Sequence, residues 1–181
     1  MKIWISSLRD VHDAHAAAGS AHIISLLSPG SDFPSFEGFG DDRHMRVEVH
    51  DILADMGERD APGERHVETV IGFLKNWTPD DPLLVHCWAG MSRSTATAYI
   101  AACLHNPHAD EEEIGMALAA ASPTAFPNTR IVAIADDMLG RGGRMAKTAE
   151  AIRKDEARLA EIYRVQEASP FFIPSRYGHR S

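Results

Sequence analysis

The sequence contains little that would suit a secreted, disulfide-bonded or membrane-spanning protein. Two of its 181 residues are cysteine, Cys87 and Cys103, so neither a disulfide framework nor a four-thiolate zinc site can be built. No apolar run approaches the ~20 residues that cross a bilayer. The run within Met1–Leu8 is too short for a secretory signal. We therefore expect a cytoplasmic protein whose two thiols are reduced.

Positive charge is also scarce. Lys and Arg number 18 against 26 Asp and Glu, which gives a formal net charge of −8 at pH 7. An acidic chain lacks the broad basic surface that binds nucleic acid or anionic membranes, so we expect neither as a partner. Hydrophobic residues make up 44%, enough for a core. The length suits a single domain over 1–181, with a core over about 1–140 and a C-terminal helix and tail over 144–181.

Short apolar runs alternate with amphipathic segments, which predicts an α/β fold with a central, mostly parallel sheet flanked by helices and a helical C-terminal half. The apolar run Leu83–Cys87, between turn residues, is typical of a central parallel strand. The predicted strands are 2–5, 22–27, 45–49 and 83–87, and the predicted helices are 11–18, 64–77, 94–104, 110–121 and 128–140. One long last helix is predicted to carry on one face Met145, Ala149, Ile152, Leu159 and Tyr163. The apolar tail Pro170–Pro174, interrupted by prolines, is expected to pack as an extended strap.

The segment His86–Ser94 joins the predicted strand 83–87 to the helix that follows. The carboxyl end of a strand in a parallel sheet is where ligands usually bind. A loop that leads into a helix also presents unpaired backbone N–H groups, and together with the helix dipole these form a site for an anion. This stretch is therefore the candidate for a phosphate-like ligand.

The side chains of the segment add reactive chemistry to that anion site. Cys87 begins the loop, so its sulfur can lie at the base of the cradle that the backbone N–H groups form. These N–H groups and Arg93 favour the thiolate over the thiol. Arg93 can hold two oxygens of a tetrahedral oxyanion, a geometry that lysine does not offer. Gly90 allows the backbone to turn tightly. The pattern points to a thiolate aimed at a phosphorus atom whose oxygens are held by amides and a guanidinium.

The segment resembles the signature His-Cys-x-x-Gly-x-x-Arg-Ser/Thr of the cysteine-dependent protein tyrosine phosphatases, with every fixed position matched. By chance this pattern would arise in a chain of this length on the order of once in 10⁴. The resemblance extends more loosely over roughly residues 20–140, towards compact dual-specificity-like members and small bacterial tyrosine phosphatases. It implies a phosphatase that hydrolyses phosphomonoesters, preferentially phosphotyrosine, on a phosphorylated protein or a small substrate.

The resemblance also implies a role for each matching residue. Cys87 matches the nucleophile that forms a cysteinyl-phosphate, and Arg93 matches the arginine that binds phosphate and stabilises the transition state. Ser94 matches the hydroxyl that stabilises the departing thiolate, and His86 matches a histidine that tunes and orders the loop. Asn128, which follows a proline, resembles a residue that braces the loop. The implied phosphate cradle consists of the backbone amides of Trp88, Ala89, Gly90, Met91, Ser92 and Arg93.

The family further supplies an aspartate, on a loop that follows a strand, as general acid and then general base. Asp51 follows the predicted strand 45–49 closely and is our choice, and Asp55 in the same loop is the alternative. No metal or organic cofactor is expected, because the cradle and Arg93 take over the task of a cation. The loop residues around Arg93 add no further cation, which makes a lipid phosphate a poorer substrate candidate.

Other functions and roles remain open at this point. The chain could be a catalytically inactive phosphate-binding module, or another cysteine-anion enzyme such as a sulfurtransferase, whose loop is usually one residue shorter. Cys103 is expected in the core, with a resolving thiol for oxidised Cys87 as the alternative. The other histidines, among them His44, are expected at the surface rather than as metal ligands.

Overall fold

Strands and helices alternate along the part of the chain that the computed structural model describes, residues 1–160 and 162. The strands are β1 (Ile3–Ser7), β2 (His22–Leu27), β3 (His44–Glu48) and β4 (Leu83–Cys87). The helices are α1 (Val11–Ala18), α2 (Glu64–Asn76), α3 (Arg93–His105), α4 (Glu111–Ala121), α5 (Thr129–Met138) and α6 (Arg144–Lys154). Within these residues, no helix combines the length and the apolar character that crossing a bilayer requires.

The four strands form one parallel sheet in the order β1-β4-β2-β3. All five residues of β4 are buried, since β1 and β2 flank this strand. β1 runs past the predicted end at residue 5, because Ser6 and Ser7 pair with His86 and Cys87. The predicted central parallel strand and the α/β class are confirmed. The register places Cys87 at the carboxyl edge of the sheet.

The core lies on both faces of the sheet but is divided unequally. The larger cluster packs α2, α3 and α5 against the sheet and includes Leu74, Val85, Tyr99 and Ile100. The smaller cluster, on the other face, joins α1 and the loop after β2 through Val11, Ile23, Phe36 and Leu84. Almost every residue of α3 is buried, and its alanines allow this helix to approach the sheet closely. The packing of α3 therefore fixes the position of its first turn, where the segment His86–Ser94 ends.

The predicted single last helix is wrong, because the chain breaks it at Asp155. Helix α6 ends at Lys154, and Asp155 has an extended backbone with φ −68° and ψ 109°. Its Oδ1 atom accepts hydrogen bonds from the backbone N–H groups of Ala157 (3.0 Å) and Arg158 (3.2 Å). Asp155 thus caps a second helical stretch over 156–160. Tyr163 and the proposed strap 170–174 lie outside the described residues.

Two carboxylates fix the helical C-terminal half. Glu111 starts α4 with a side chain that is 4% exposed, and it accepts hydrogen bonds from Arg141 (2.9 Å) and Arg144 (2.8 Å). Hydrogen bonding from Arg144, helped by Arg141, lowers the pKa of Glu111 to about 2. Asp136, buried at the end of α5, accepts hydrogen bonds from the backbone N–H groups of Gly143 and Met145, both at 2.6 Å. These contacts set the position of α6 relative to α4 and α5.

Glu111→Gln should lower the free energy of unfolding by about 2 kcal/mol, because two arginines lose a charged acceptor. The folded-state pKa lies below the ordinary value of 4.5, so this stabilisation is complete above that pH and disappears as the pH falls towards 2. Urea denaturation across this pH range measures the difference. Glu112→Gln, which changes an exposed neighbour in the same turn, is the control and should change stability little. Equal stability of wild type and Glu111→Gln at neutral pH would contradict the assignment.

Candidate functional site

The loop between β4 and α3 turns tightly around Gly90. This residue has φ +74°, in the left-handed region that favours glycine. A Cβ atom there would lie 2.7 Å from the carbonyl carbon of Ser6 and 2.8 Å from the backbone nitrogen of Ser7. The backbone N–H of Leu8 also donates to the carbonyl of Trp88 at 3.1 Å. The loop is therefore pressed against the end of β1 and requires glycine for two separate reasons.

Cys87 lies at the base of this loop. It is 1% exposed, and its Sγ atom lies 3.2 Å from the hydroxyl oxygen of Ser94 in the first turn of α3. The backbone N–H groups of 88–92 donate to no carbonyl or side chain within the described part of the chain. Because these donors precede the N-terminus of α3, the sulfur and an anion-binding cradle occupy the same end of the helix.

Arg93 contributes a buried positive charge that a backbone carbonyl holds in place. Its side chain is 4% exposed, and Nη1 donates to the carbonyl of Val49 at 2.8 Å. Nε lies 3.7 Å from Oδ2 of Asp51, too far for a hydrogen bond, and it has no hydrogen-bond partner among the described residues. A buried charged N–H without an acceptor is costly. An oxyanion bound beside Arg93 would supply that acceptor.

Asp51 reaches the loop, and Asp55 does not. The side chain of Asp51 is 33% exposed, and its Oδ1 accepts hydrogen bonds from the hydroxyl of Ser92 (2.7 Å) and Nδ2 of Asn128 (2.9 Å). Asn128 in turn caps α5, since its Oδ1 accepts from the N–H of Ile131 at 3.1 Å. Asp55 instead accepts the backbone N–H of Ala61 at 2.8 Å and so braces its own loop. Of the two aspartates considered, Asp51 is the one beside the cradle.

A buried hydrogen-bonded chain lies behind the nucleophile position. The hydroxyl of Ser25 lies 2.5 Å from Nε2 of His86 and 2.8 Å from Nε2 of His44, and all three residues are at most 1% exposed. Burial lowers the pKa of both histidines to about 4, so both rings are neutral at physiological pH. The single proton of the hydroxyl can be donated to one ring only, which couples the tautomers of the two rings. The His86 ring is therefore held by a neutral hydrogen-bonded chain.

The expectation that His44 lies at the surface is wrong, because the hydroxyl of Ser25 gives its ring a partner inside the protein. Sequence reasoning also missed Ser25. The available signal was a lone polar residue within the apolar run 23–27, where a buried hydroxyl requires a hydrogen-bond partner.

Cys103 belongs to the core, as predicted. It is fully buried on α3, and burial raises the pKa of its thiol to about 12. At ~1.5 Å per residue along a helix, its position is roughly 15 Å beyond Arg93. The helix thus carries Cys103 away from the loop that holds Cys87, and both thiols are free.

Comparison with known proteins supports the fold. No protein-family model matches the chain, and no curated protein matches it. Among solved structures, DUSP15 superposes with a TM-score of 0.56 at 21% identity, over 84% of this chain and 91% of that one. Human DUSP28 superposes with a TM-score of 0.58 at 20% identity, over 77% of this chain and 92% of that one. A mouse dual specificity phosphatase described as putative, solved with zinc tungstate, superposes with a TM-score of 0.58 at 22% identity. The superposition covers 85% of this chain and 89% of that one. The chain therefore has the fold of the dual-specificity phosphatases, which confirms the resemblance at the level of fold.

Gly90→Ala should destabilise the protein by about 2 kcal/mol or more, because the new methyl group meets the backbone of β1 and the backbone conformation becomes strained. Gly72→Ala is the matched control: Gly72 lies within α2 with no heavy atom within 4 Å of an added Cβ. That substitution should stabilise by about 0.5–1 kcal/mol. Urea denaturation of both variants measures the two effects, and a Gly90→Ala protein as stable as wild type would exclude the close approach described here.

Proposed function

We propose that this protein is a phosphatase that hydrolyses phosphomonoesters through a cysteinyl-phosphate on Cys87, with phosphotyrosine in proteins as its preferred substrate. The observation that carries the proposal is the convergence of the Cys87 sulfur, the unpaired amides of 88–92 and the unpartnered Nε of Arg93 at one helix N-terminus. Dual-specificity phosphatases share the fold, which supports the same conclusion.

In the first step the amides of 88–92 and Arg93 bind the phosphoryl oxygens and orient phosphorus above the sulfur. The Cys87 thiolate attacks phosphorus, so an S–P bond forms while the ester P–O bond breaks. Asp51 donates a proton to the leaving oxygen, which departs as an alcohol or phenol. The charge that develops on the phosphoryl oxygens is met by the donors already in place.

The hydrogen bonds of Asp51 indicate which of its oxygens carries this proton. Oδ1 already accepts hydrogen bonds from Ser92 and Asn128, so protonation at Oδ2 preserves both. Oδ2 faces Nε of Arg93 at 3.7 Å, and a bound phosphoryl group would satisfy that nitrogen instead. Oδ2 is therefore the oxygen that we propose donates its proton to the leaving group.

In the second step Asp51 accepts a proton from water as the water attacks phosphorus. An O–P bond forms, the P–S bond breaks, and inorganic phosphate is released. Ser94 can stabilise the departing thiolate through its hydroxyl, which lies 3.2 Å from the sulfur. No step of this scheme calls on a metal ion, so EDTA is expected to leave the rate unchanged.

Cys87→Ser should abolish hydrolysis of p-nitrophenyl phosphate and of a phosphotyrosine peptide, because a hydroxyl in this site is a far weaker nucleophile than a thiolate. Cys103→Ser is the control; it changes the other thiol, which lies outside the site, and should retain activity. Release of inorganic phosphate at mildly acidic pH is the measurement. Full activity of Cys87→Ser would overturn the nucleophile assignment. Vanadate binding by a wild-type protein that releases no phosphate would identify a binding module instead.

Asp51→Asn should reduce kcat for a phosphotyrosine peptide about 10²–10⁴-fold, because an amide cannot protonate the leaving oxygen. Asp55→Asn is the matched control from the same loop and should leave kcat close to that of wild type. Steady-state kinetics with both variants decide the assignment. If Asp55→Asn shows the loss and Asp51→Asn does not, the roles of the two aspartates are reversed.

A further inference from the structure

A pocket opens beside Asp51 and Ser92, at the edge of the cradle loop. Its volume is about 240 Å³, and its lining consists of Asp51, Leu53, Ser92, Phe126, Asn128 and Arg153. Because Asp51 is proposed to protonate the leaving oxygen and also lines this pocket, the part of the substrate beyond that oxygen would come near the pocket. The chemistry of the pocket therefore bears on which substrates are preferred.

Arg153, on α6, is the cation of this pocket and is held in a defined position. Its guanidinium carbon lies 3.5 Å from the centroid of the Phe126 ring. Nη1 donates to the carbonyls of Phe126 (3.2 Å) and Pro127 (3.3 Å). α6 itself is fixed by Asp136, which caps its first turn. An arginine held in this way loses little conformational entropy when it binds a further group.

The guanidinium also has capacity for another acceptor. Arginine carries five N–H donors, and the contacts above occupy Nη1 alone. No carboxylate forms a salt bridge with Arg153 within residues 1–160 and 162. Partial burial lowers the pKa of the guanidinium by desolvation, whereas the negative charge of Asp51 opposes that change. An anion in the pocket would offset the desolvation of this cation.

We infer that Arg153 forms a second anion site, which binds an acidic group next to the phosphorylated residue of a peptide substrate. This inference rests on the proposed phosphatase function and names the substrate class: phosphopeptides that carry a carboxylate or a second phosphate beside the phosphotyrosine. Both groups present two oxygens to a guanidinium, the geometry that arginine binds best. The exposed side chain of Leu53 and the ring of Phe126 line the same pocket and offer apolar contacts to a peptide.

A purely structural role for Arg153 makes a different prediction. Its two bonds to carbonyls brace the segment 126–127, which precedes Asn128 and therefore Asp51. Loss of bracing would slow the hydrolysis of every substrate by the same factor. Loss of an anion site would slow only the substrates that carry the second anion. The ratio of kcat/KM between substrates separates the two roles.

The experiment uses three phosphotyrosine peptides of equal length, whose adjacent residue is glutamine, glutamate or phosphoserine. For the wild-type protein, kcat/KM should be about tenfold higher for the two anionic peptides than for the neutral one, as expected for one charged hydrogen-bonded pair. Arg153→Gln should remove this preference, and Arg153→Lys should retain part of it. The glutamate and phosphoserine arms show which source of the anion is preferred.

Arg158→Gln provides the matched control. Arg158 also donates to backbone carbonyls, those of Ala119, Ser122 and Pro123, but does not line the pocket. This variant should keep the wild-type ratio between the anionic and neutral peptides.

Equal kcat/KM for all three peptides in the wild-type protein, or a uniform loss in Arg153→Gln, would overturn the inference while leaving the phosphatase function intact. If the wild-type protein hydrolyses none of the peptides, the phosphatase function fails. Fluorescence anisotropy of the same peptides with Cys87→Ser and with Cys87→Ser/Arg153→Gln then tests the anion site by itself. A preference of the first variant for the anionic peptides that the second variant lacks would support the site, and equal binding would exclude it.

Discussion

The contact between the guanidinium of Arg93 and the carbonyl of Val49 determines the character of this site. A neutral acceptor fixes the side chain, and the Asp51 carboxylate, beyond hydrogen-bond distance, offsets its buried charge only in part. The nearest carboxylate oxygen, on Asp51, lies 3.7 Å from Nε and is already hydrogen-bonded through its partner oxygen to other donors. The folded protein therefore retains a directed positive charge beside the cysteine. Binding of a tetrahedral anion would relieve the cost of burying that charge.

The sequence was sufficient where local structure depends on contiguous residues. The spacing from His86 to Ser94 specifies a strand, a glycine turn and a helix, so the cradle could be predicted without any long-range contact. The sequence favoured Asp51 over Asp55 only through its position after the strand. The contacts of Asp51 with Ser92 and Asn128 could not be predicted, because tertiary packing brings those residues together. The partnership of Ser25 with two histidines joins three strands and has no local signature. The break at Asp155 was missed because the apolar periodicity continues through it.

The helical C-terminal half participates in the site rather than merely covering the sheet. Asn128 both caps α5 and holds Asp51, so the position of the proposed acid depends on the start of that helix. α5 is connected to α6 through Asp136, and α4 to the same region through Glu111. A rigid chain of caps and buried ion pairs thus runs from the surface helices to the carboxylate. Positioning within about 0.5 Å is what a proton-transfer group requires, and such rigid support supplies it.

Charge acts on two length scales in this protein, and the shorter one decides recognition. The net charge of −8 repels an acidic substrate at a distance, but this field is screened within ~8 Å at physiological salt. Arg93 is shielded from solvent by burial, and Arg153 is partly so, which preserves their attraction where the substrate is already docked. In the proposed function, two placed guanidiniums would select a compact pair of anions within a chain whose net charge is negative. Selectivity of this kind arises from the position of a few charges rather than from their sum.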